Sequence, residues 1–163
     1  AMVNDVLRSG NVAEQALRQE KRLRVDQLIA EVVDDYHLLA KTRGMTFAVN
    51  TEPTTIRANR DMMRHVISNL VSNAVRHGDV GSEIKLTCNQ HELAIENACK
   101  PLTKKQLQHV FDPFYRSSDS TKQHADSSGI GLYTVKMLLD AKGLDYEFVP
   151  HGQGMRFVVR FFG

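Results

Sequence analysis

The sequence carries two cysteines, Cys88 and Cys99, four prolines and no tryptophan in 163 residues. Two thiols cannot build a disulfide framework, and neither has zinc-ligand spacing. A disulfide-stapled secreted scaffold and a zinc module are therefore excluded, and a reducing, cytoplasmic setting is expected. No apolar run approaches the ~20 residues that a membrane helix needs. The start, Ala1-Met2-Val3-Asn4-Asp5, lacks the basic and apolar regions of a signal peptide. An Ala-Met start reads as an artificial junction, so the chain is expected to be one domain of a longer protein. Charge of one sign is also lacking: 21 Lys and Arg against 19 Asp and Glu leave +2, too balanced to point to nucleic acid. What is present is ordinary for a folded domain, 42% hydrophobic and 25% charged residues. The length fits one domain with a sizeable core.

Residues 1–25 are polar and weakly periodic, with a break at Ser9-Gly10-Asn11, and read as a connector or the stub of an upstream helix. Residues 26–163 form the globular part. From Asp26, a plausible N-cap, Leu28, Ile29, Val32, Val33, Tyr36, Leu39 and Ala40 recur at helical spacing until Gly44. Met45–Asn50 and Thr55–Ala58 read as two short strands around a Pro53 turn. A second amphipathic helix is predicted from Asn59 or Arg60 to about Arg76, ended by Gly78, and Glu83–Cys88 with Glu92–Glu96 alternate like a hairpin. A short helix over 103–110 leads to aromatic residues at Phe111, Phe114 and Tyr115. Residues 116–128 hold almost nothing apolar and suit a mobile loop or lid. A third helix opens at Gly129-Ile130-Gly131 and runs to about Ala141, and strands at 144–149 and 154–162 close the chain. This mixed order favours an α+β fold, a two-layer sandwich of one mainly antiparallel sheet covered by helices.

On the second helix Asn69 and Asn73 lie four apart and share a face, which Arg76 and His77 continue. Asparagine is a mediocre helix-interior residue because its amide competes for backbone hydrogen bonds. The plain reading is a solvated face. The functional reading is that amide oxygens complete the octahedral shell of a Mg²⁺ held mostly by nucleotide phosphates. Gly129-Ile130-Gly131-Leu132 lies where a polar loop enters a helix, so backbone N–H groups and the helix dipole face an incoming anion. Such a pair also occurs as plain helix-start geometry, but Arg116 and Lys122 in the preceding loop favour a phosphate site. Neither the P-loop nor the dinucleotide-binding glycine pattern is present.

Asn69-Leu70-Val71-Ser72-Asn73-Ala74-Val75-Arg76-His77 closely resembles the N box of sensor histidine kinases. Phe111-Asp112-Pro113-Phe114-Tyr115-Arg116 resembles their F box, and Gly129-Ile130-Gly131-Leu132 their second glycine box, in the same order. The resemblance runs from about Asp26 to Phe162. It implies the GHKL, or Bergerat, ATP-binding fold: a mixed, mainly antiparallel five-stranded sheet with three helices on one face and a flexible lid. Carried over by residue, it implies that Asn73 is the Mg²⁺ ligand, Asn69 its neighbour in the phosphate and metal site, Arg76 a phosphate contact and His77 a ring against adenine or ribose. Gly129 and Gly131, with Leu132 beside them, would line the phosphates, and Arg116 and Lys122 would be lid contacts to the γ-phosphate.

The chain departs from the family at the first glycine box, usually Asp-x-Gly-x-Gly. Here Asn97-Ala98-Cys99-Lys100-Pro101 stands in its place, putting Asn97 on the residue that accepts from the adenine amino group. An asparagine carbonyl accepts the same bond without the charge-assisted gain. Hydrolysing members of the superfamily resemble this chain in fold but carry a glutamate one turn before the metal asparagine. Asn69 stands there instead, and an amide is no general base for water, which argues for a kinase with ATP and Mg²⁺ as its cofactors. The expected acceptor is a histidine on an upstream dimerization hairpin absent from these residues. His37 is followed by leucine, and His91-Glu92 falls at a turn. The family relation further implies a response regulator as partner, a homodimer in the full protein and a monomeric isolated domain. It also implies the cytoplasmic portion of a membrane-bound bacterial sensor. The alternatives are a degenerate nucleotide-binding module acting through protein contacts, and a serine kinase of the anti-sigma type on the same fold.

Overall fold

The computed structural model describes residues 17–113 and 131–161. In chain order these form β1 (Lys21–Arg24), α1 (Val25–Thr42), β2 (Thr46–Thr51), β3 (Thr55–Ala58), α2 (Arg60–His77), β4 (Glu83–Cys88), β5 (Glu92–Ala98), α3 (Lys104–His109), α4 (Gly131–Lys142), β6 (Asp145–His151) and β7 (Gly154–Arg160).

Local chemistry sets the helix ends. Gly44 follows α1 at φ +66°, a left-handed conformation that closes a helix at little cost only for a residue without Cβ. Asn59 caps α2, its side chain accepting from the Met62 N–H at 3.0 Å. Thr103 and Gln106 form a reciprocal capping box on α3. Along α2 the buried residues Met62, Met63, Val66, Ile67, Leu70, Val71, Ala74 and Val75 trace one helical stripe.

The main sheet has five strands in the order β2-β4-β5-β7-β6, with β2 and β4 parallel and the remaining pairs antiparallel. Ile84, Leu86, Leu93, Ile95, Phe157 and Val159 are buried on one face, where α1, α2 and α4 cover the sheet. The middle helix is α2, which packs against both α1 and α4. Phe111 stacks edge-on against Tyr146 and Phe157, at centroid distances of 5.7 and 6.2 Å, so the segment after α3 is anchored on β6 and β7. The opposite face of the sheet carries cross-strand ion pairs: Arg160–Glu147 at 2.7 Å, Arg156–Glu92 at 3.2 Å and His151–Glu96 at 3.0 Å. Ala94 and Val158 lie on that face too and are buried.

The architecture is the α+β sandwich expected, with two corrections in detail and one strand pairing that the sequence left open. Lys21–Arg24 is a strand, not a connector, and pairs antiparallel with β3 in a separate two-stranded ribbon. Its partner lies some thirty positions away, so no local pattern announces it. The strands on either side of Pro53 do not pair with each other: β2 joins the main sheet and β3 joins β1. Asp26 is not the cap of α1, whose N-cap is Arg24 with no side-chain cap bond. Asp26 instead accepts from the Thr54 N–H at 3.0 Å and from the Arg24 guanidinium at 2.7 and 2.9 Å.

Candidate functional site

The site begins with the face of α2 that the core does not use. Asn69, Ser72, Asn73 and Arg76 are half-buried and His77 is exposed. One turn apart, Arg76 donates from Nε to the Ser72 hydroxyl at 3.0 Å, which steers the guanidinium along the helix. The start of α4 comes to this face. A Cβ on Gly131 would lie 3.5 Å from Asn69 Oδ1, an ordinary contact, so the protein itself does not demand glycine there. Leu132 is half-buried and packs against the hydrophobic core, fixing the first turn of α4.

The last turn of α2 is the third component. A helix leaves its final four carbonyls without intrahelical partners. In α2 the Ala74 carbonyl accepts from the Gly78 N–H at 2.9 Å. The Val75 and Arg76 carbonyls both accept from Nη1 of Arg43, a residue of the α1–β2 turn, the latter at 2.8 Å. Arg76 and His77 put two basic side chains on this turn, which suits the negative end of the helix dipole.

Asn97 is brought to the same end. It lies near the end of β5, opposite Met155 of β7, and its Cβ is 3.6 Å from where a Cβ on Gly78 would stand. The neighbouring Ala98 carbonyl accepts from the Asp79 N–H at 2.7 Å, tying β5 to the segment that leaves α2. Burial, and then the Asp79 carboxylate, push the Cys99 thiol above its ordinary range, while a hydrogen bond from the Asn97 side chain pulls the other way.

The structure thus brings Gly131 to Asn69 at the middle of α2 and Asn97 to Gly78 at its end, with Asn73, Arg76 and His77 on the α2 segment between those two contacts and Leu132 beside Gly131. Arg116, Lys122 and Gly129 lie outside the described residues. Sequence reasoning missed Arg43, which reaches α2 from 32 positions away, and Gly154, whose backbone lies against Asn97. The Ser72–Arg76 pair was open to it, since their spacing of four is a helical neighbour pair.

Residues 58–162, more than half of the chain, match the family described as histidine kinase-, DNA gyrase B- and HSP90-like ATPases. The chain is 31% identical over 159 residues to the sensor histidine protein kinase HK06 of Streptococcus pneumoniae serotype 2, covering 97% of this chain and 35% of that protein. It is 30% identical to the sensor histidine kinase CusS of Escherichia coli K12, covering 97% and 34%. The chain therefore spans about a third of the length of these relatives. Among solved structures, the catalytic domain of the histidine kinase ThkA superposes with a TM-score of 0.76 at 21% identity, covering 87% of this chain and 94% of that one. Full-length ShkA, solved in complex with AMPPNP, gives 0.80 at 21% identity, covering 98% and 34%. With a mixed five-stranded sheet, a helical layer on one face and a family match over residues 58–162, the chain belongs to the histidine kinase-, DNA gyrase B- and HSP90-like ATPase family.

Proposed function

We propose that this domain binds Mg-ATP through the cluster at the end of α2. From there it donates the γ-phosphate to a histidine on an upstream helical hairpin, for relay to a response regulator. The observation that carries the reading is the meeting of Asn69 with the start of α4, where a Cβ on Gly131 would touch Asn69 Oδ1 at 3.5 Å, so that among the described residues none requires the glycine. An anion approaching there meets the positive end of the α4 dipole, while the basic Arg76 offsets the negative end of α2.

Among the described residues no group of three or more His, Cys, Asp or Glu could hold a metal ion. The Asn73 amide oxygen, on the half-buried face of α2, is a hard donor of the kind magnesium takes, and it would complete a shell held chiefly by phosphate and water. When bound, the ion supplies charge neutralisation on the phosphates. The chain's own residues do the rest. Asn69 fills the position beside the metal asparagine without a basic carboxylate, so water is not activated and ATP waits for an imidazole to attack in line. Arg76 contacts the phosphates, His77 lies against the adenosine, and the Asn97 carbonyl accepts from the adenine amino group. Gly129, Arg116 and Lys122 complete the phosphate side. The upstream hairpin would supply the dimer and the acceptor, on the cytoplasmic side of a membrane sensor.

The test is calorimetric titration of the chain with a non-hydrolysable ATP analogue, with and without Mg²⁺, beside Asn73→Ala. Magnesium-dependent binding that Asn73→Ala weakens at least about tenfold supports the reading. Equal binding by the two proteins overturns the metal assignment. No binding at millimolar nucleotide favours the second reading, a module acting through protein contacts, which rests on Asn97, Cys99 and Pro101 in place of the usual aspartate and glycines.

A further inference from the structure

We propose that Arg43, far in sequence from every motif of the nucleotide site, is a positioning residue for it. The inference rests on the nucleotide reading above. Arg43 sits in the turn between α1 and β2 and is half-buried. Its backbone is pinned on both sides: its N–H donates to the Ala40 carbonyl at 3.0 Å, and its carbonyl accepts from the Gly81 N–H at 3.0 Å. From this fixed base a single guanidinium nitrogen donates to both the Val75 and the Arg76 carbonyls. Those are two of the four carbonyls that α2 leaves without helical partners, and the Gly78 N–H serves a third.

The consequence is local. The Val75 side chain is fully buried in the core, whereas of the next two residues, both assigned to the nucleotide, Arg76 is half-buried with Nε on the Ser72 hydroxyl and His77 is exposed. A helix end frays when its last carbonyls lose their partners, because water then competes for them and the final turn loosens. Arg43 holds that turn with a charge-assisted donor and also places positive charge on the negative end of the helix dipole. Its effect on the nucleotide is exerted through Arg76 and His77.

The experiment titrates the full 163-residue chain with Mg²⁺ and a non-hydrolysable ATP analogue, comparing the parent with Arg43→Met and Arg43→Lys. All titrations are made well below each variant's unfolding temperature, checked by circular dichroism. The expected result is binding about tenfold weaker in Arg43→Met and restored to within about threefold by Arg43→Lys, which keeps a cationic donor. In the nucleotide-free proteins, the amide resonances of Arg76 and His77 should move in Arg43→Met while those of α1 stay. If Arg43→Met does not fold, Arg43→Gln, with a shorter neutral donor, takes its place. Parent-like affinity in folded Arg43→Met, or in Arg43→Gln where it takes its place, or weakening that Arg43→Lys does not relieve, overturns the positioning role and leaves the nucleotide reading standing. Absence of binding in the parent itself overturns both.

Discussion

Gly154 stands so close to Asn97 that a Cβ on it would lie 1.9 Å from the Asn97 carbonyl oxygen. No side chain fits at that distance, so the β5–β7 ladder closes at this end only because the first residue of β7 is glycine. The contact fixes the backbone of the residue assigned to the adenine. Gly154→Ala is expected to lower unfolding stability by about 3 kcal/mol, at the upper end of overpacking costs, because backbone and not a flexible side chain must move. Urea denaturation measures this. Nucleotide affinity in the folded fraction should fall as well, since Asn97 is displaced. A stability change below about 0.5 kcal/mol would show that the two strands part freely here.

Asp26 joins the first turn of α1 to the loop before β3, accepting from the Thr54 N–H and from Arg24. The Arg24 hydrogen bonds, and then that of Thr54, hold its carboxyl at about 2 against an ordinary 3.8. A carboxyl lowered on folding stabilises the protein above its unfolded value. This contribution should be complete above about pH 4 and be lost as the pH falls toward 2. Arg24 is partly open to solvent, so the gain at neutral pH is discounted to about 1 kcal/mol. Asp26→Asn should remove that stability at pH 7 and flatten the acid limb of the stability curve. An unchanged acid limb in the variant would rule out the pairing as its source.

The two cysteines differ in what covers them. Cys88 is buried beside the Thr54 hydroxyl, and Cys99 is half-buried next to Asn97. Burial raises both thiols, so at pH 8 both should react with an aromatic disulfide reagent more slowly than a free thiol, Cys99 before Cys88. Saturating Mg-ATP analogue should slow Cys99 several-fold further and leave Cys88 unaffected. Equal protection of both would indicate general stiffening and not occupation of the site beside Asn97.

How far the site could be read from the sequence depended on distance along the chain. The stripe Asn69, Asn73, Arg76, His77 is legible because helical periodicity puts residues four apart on one face, and α2 forms where its apolar spacing says it will. The hairpin β4–β5 and the final strands follow from alternation in the same way. The strand at Lys21–Arg24 was illegible: of its four residues only Leu23 is buried, and what makes it a strand is β3. The pairing of β2 with β4 was hidden for the same reason, since parallel neighbours lie far apart in the chain. Asp26 misled because a residue suited to capping a helix is equally suited to receiving a loop N–H.

The sequence by itself determined the element types, the family and the order of the chemical motifs, because these depend on local spacing and on which side chains carry amide, basic or no functional groups. Only the tertiary structure decided that Asn69 meets the start of α4, that Arg43 seals the last turn of α2, and that Gly154 presses on Asn97. Those contacts join residues 32 to 62 positions apart, and their geometry exists only once the sheet order and the packing of α2 between α1 and α4 are set. Burial and backbone hydrogen bonding across the whole domain make that choice, and no local stretch of residues contains it.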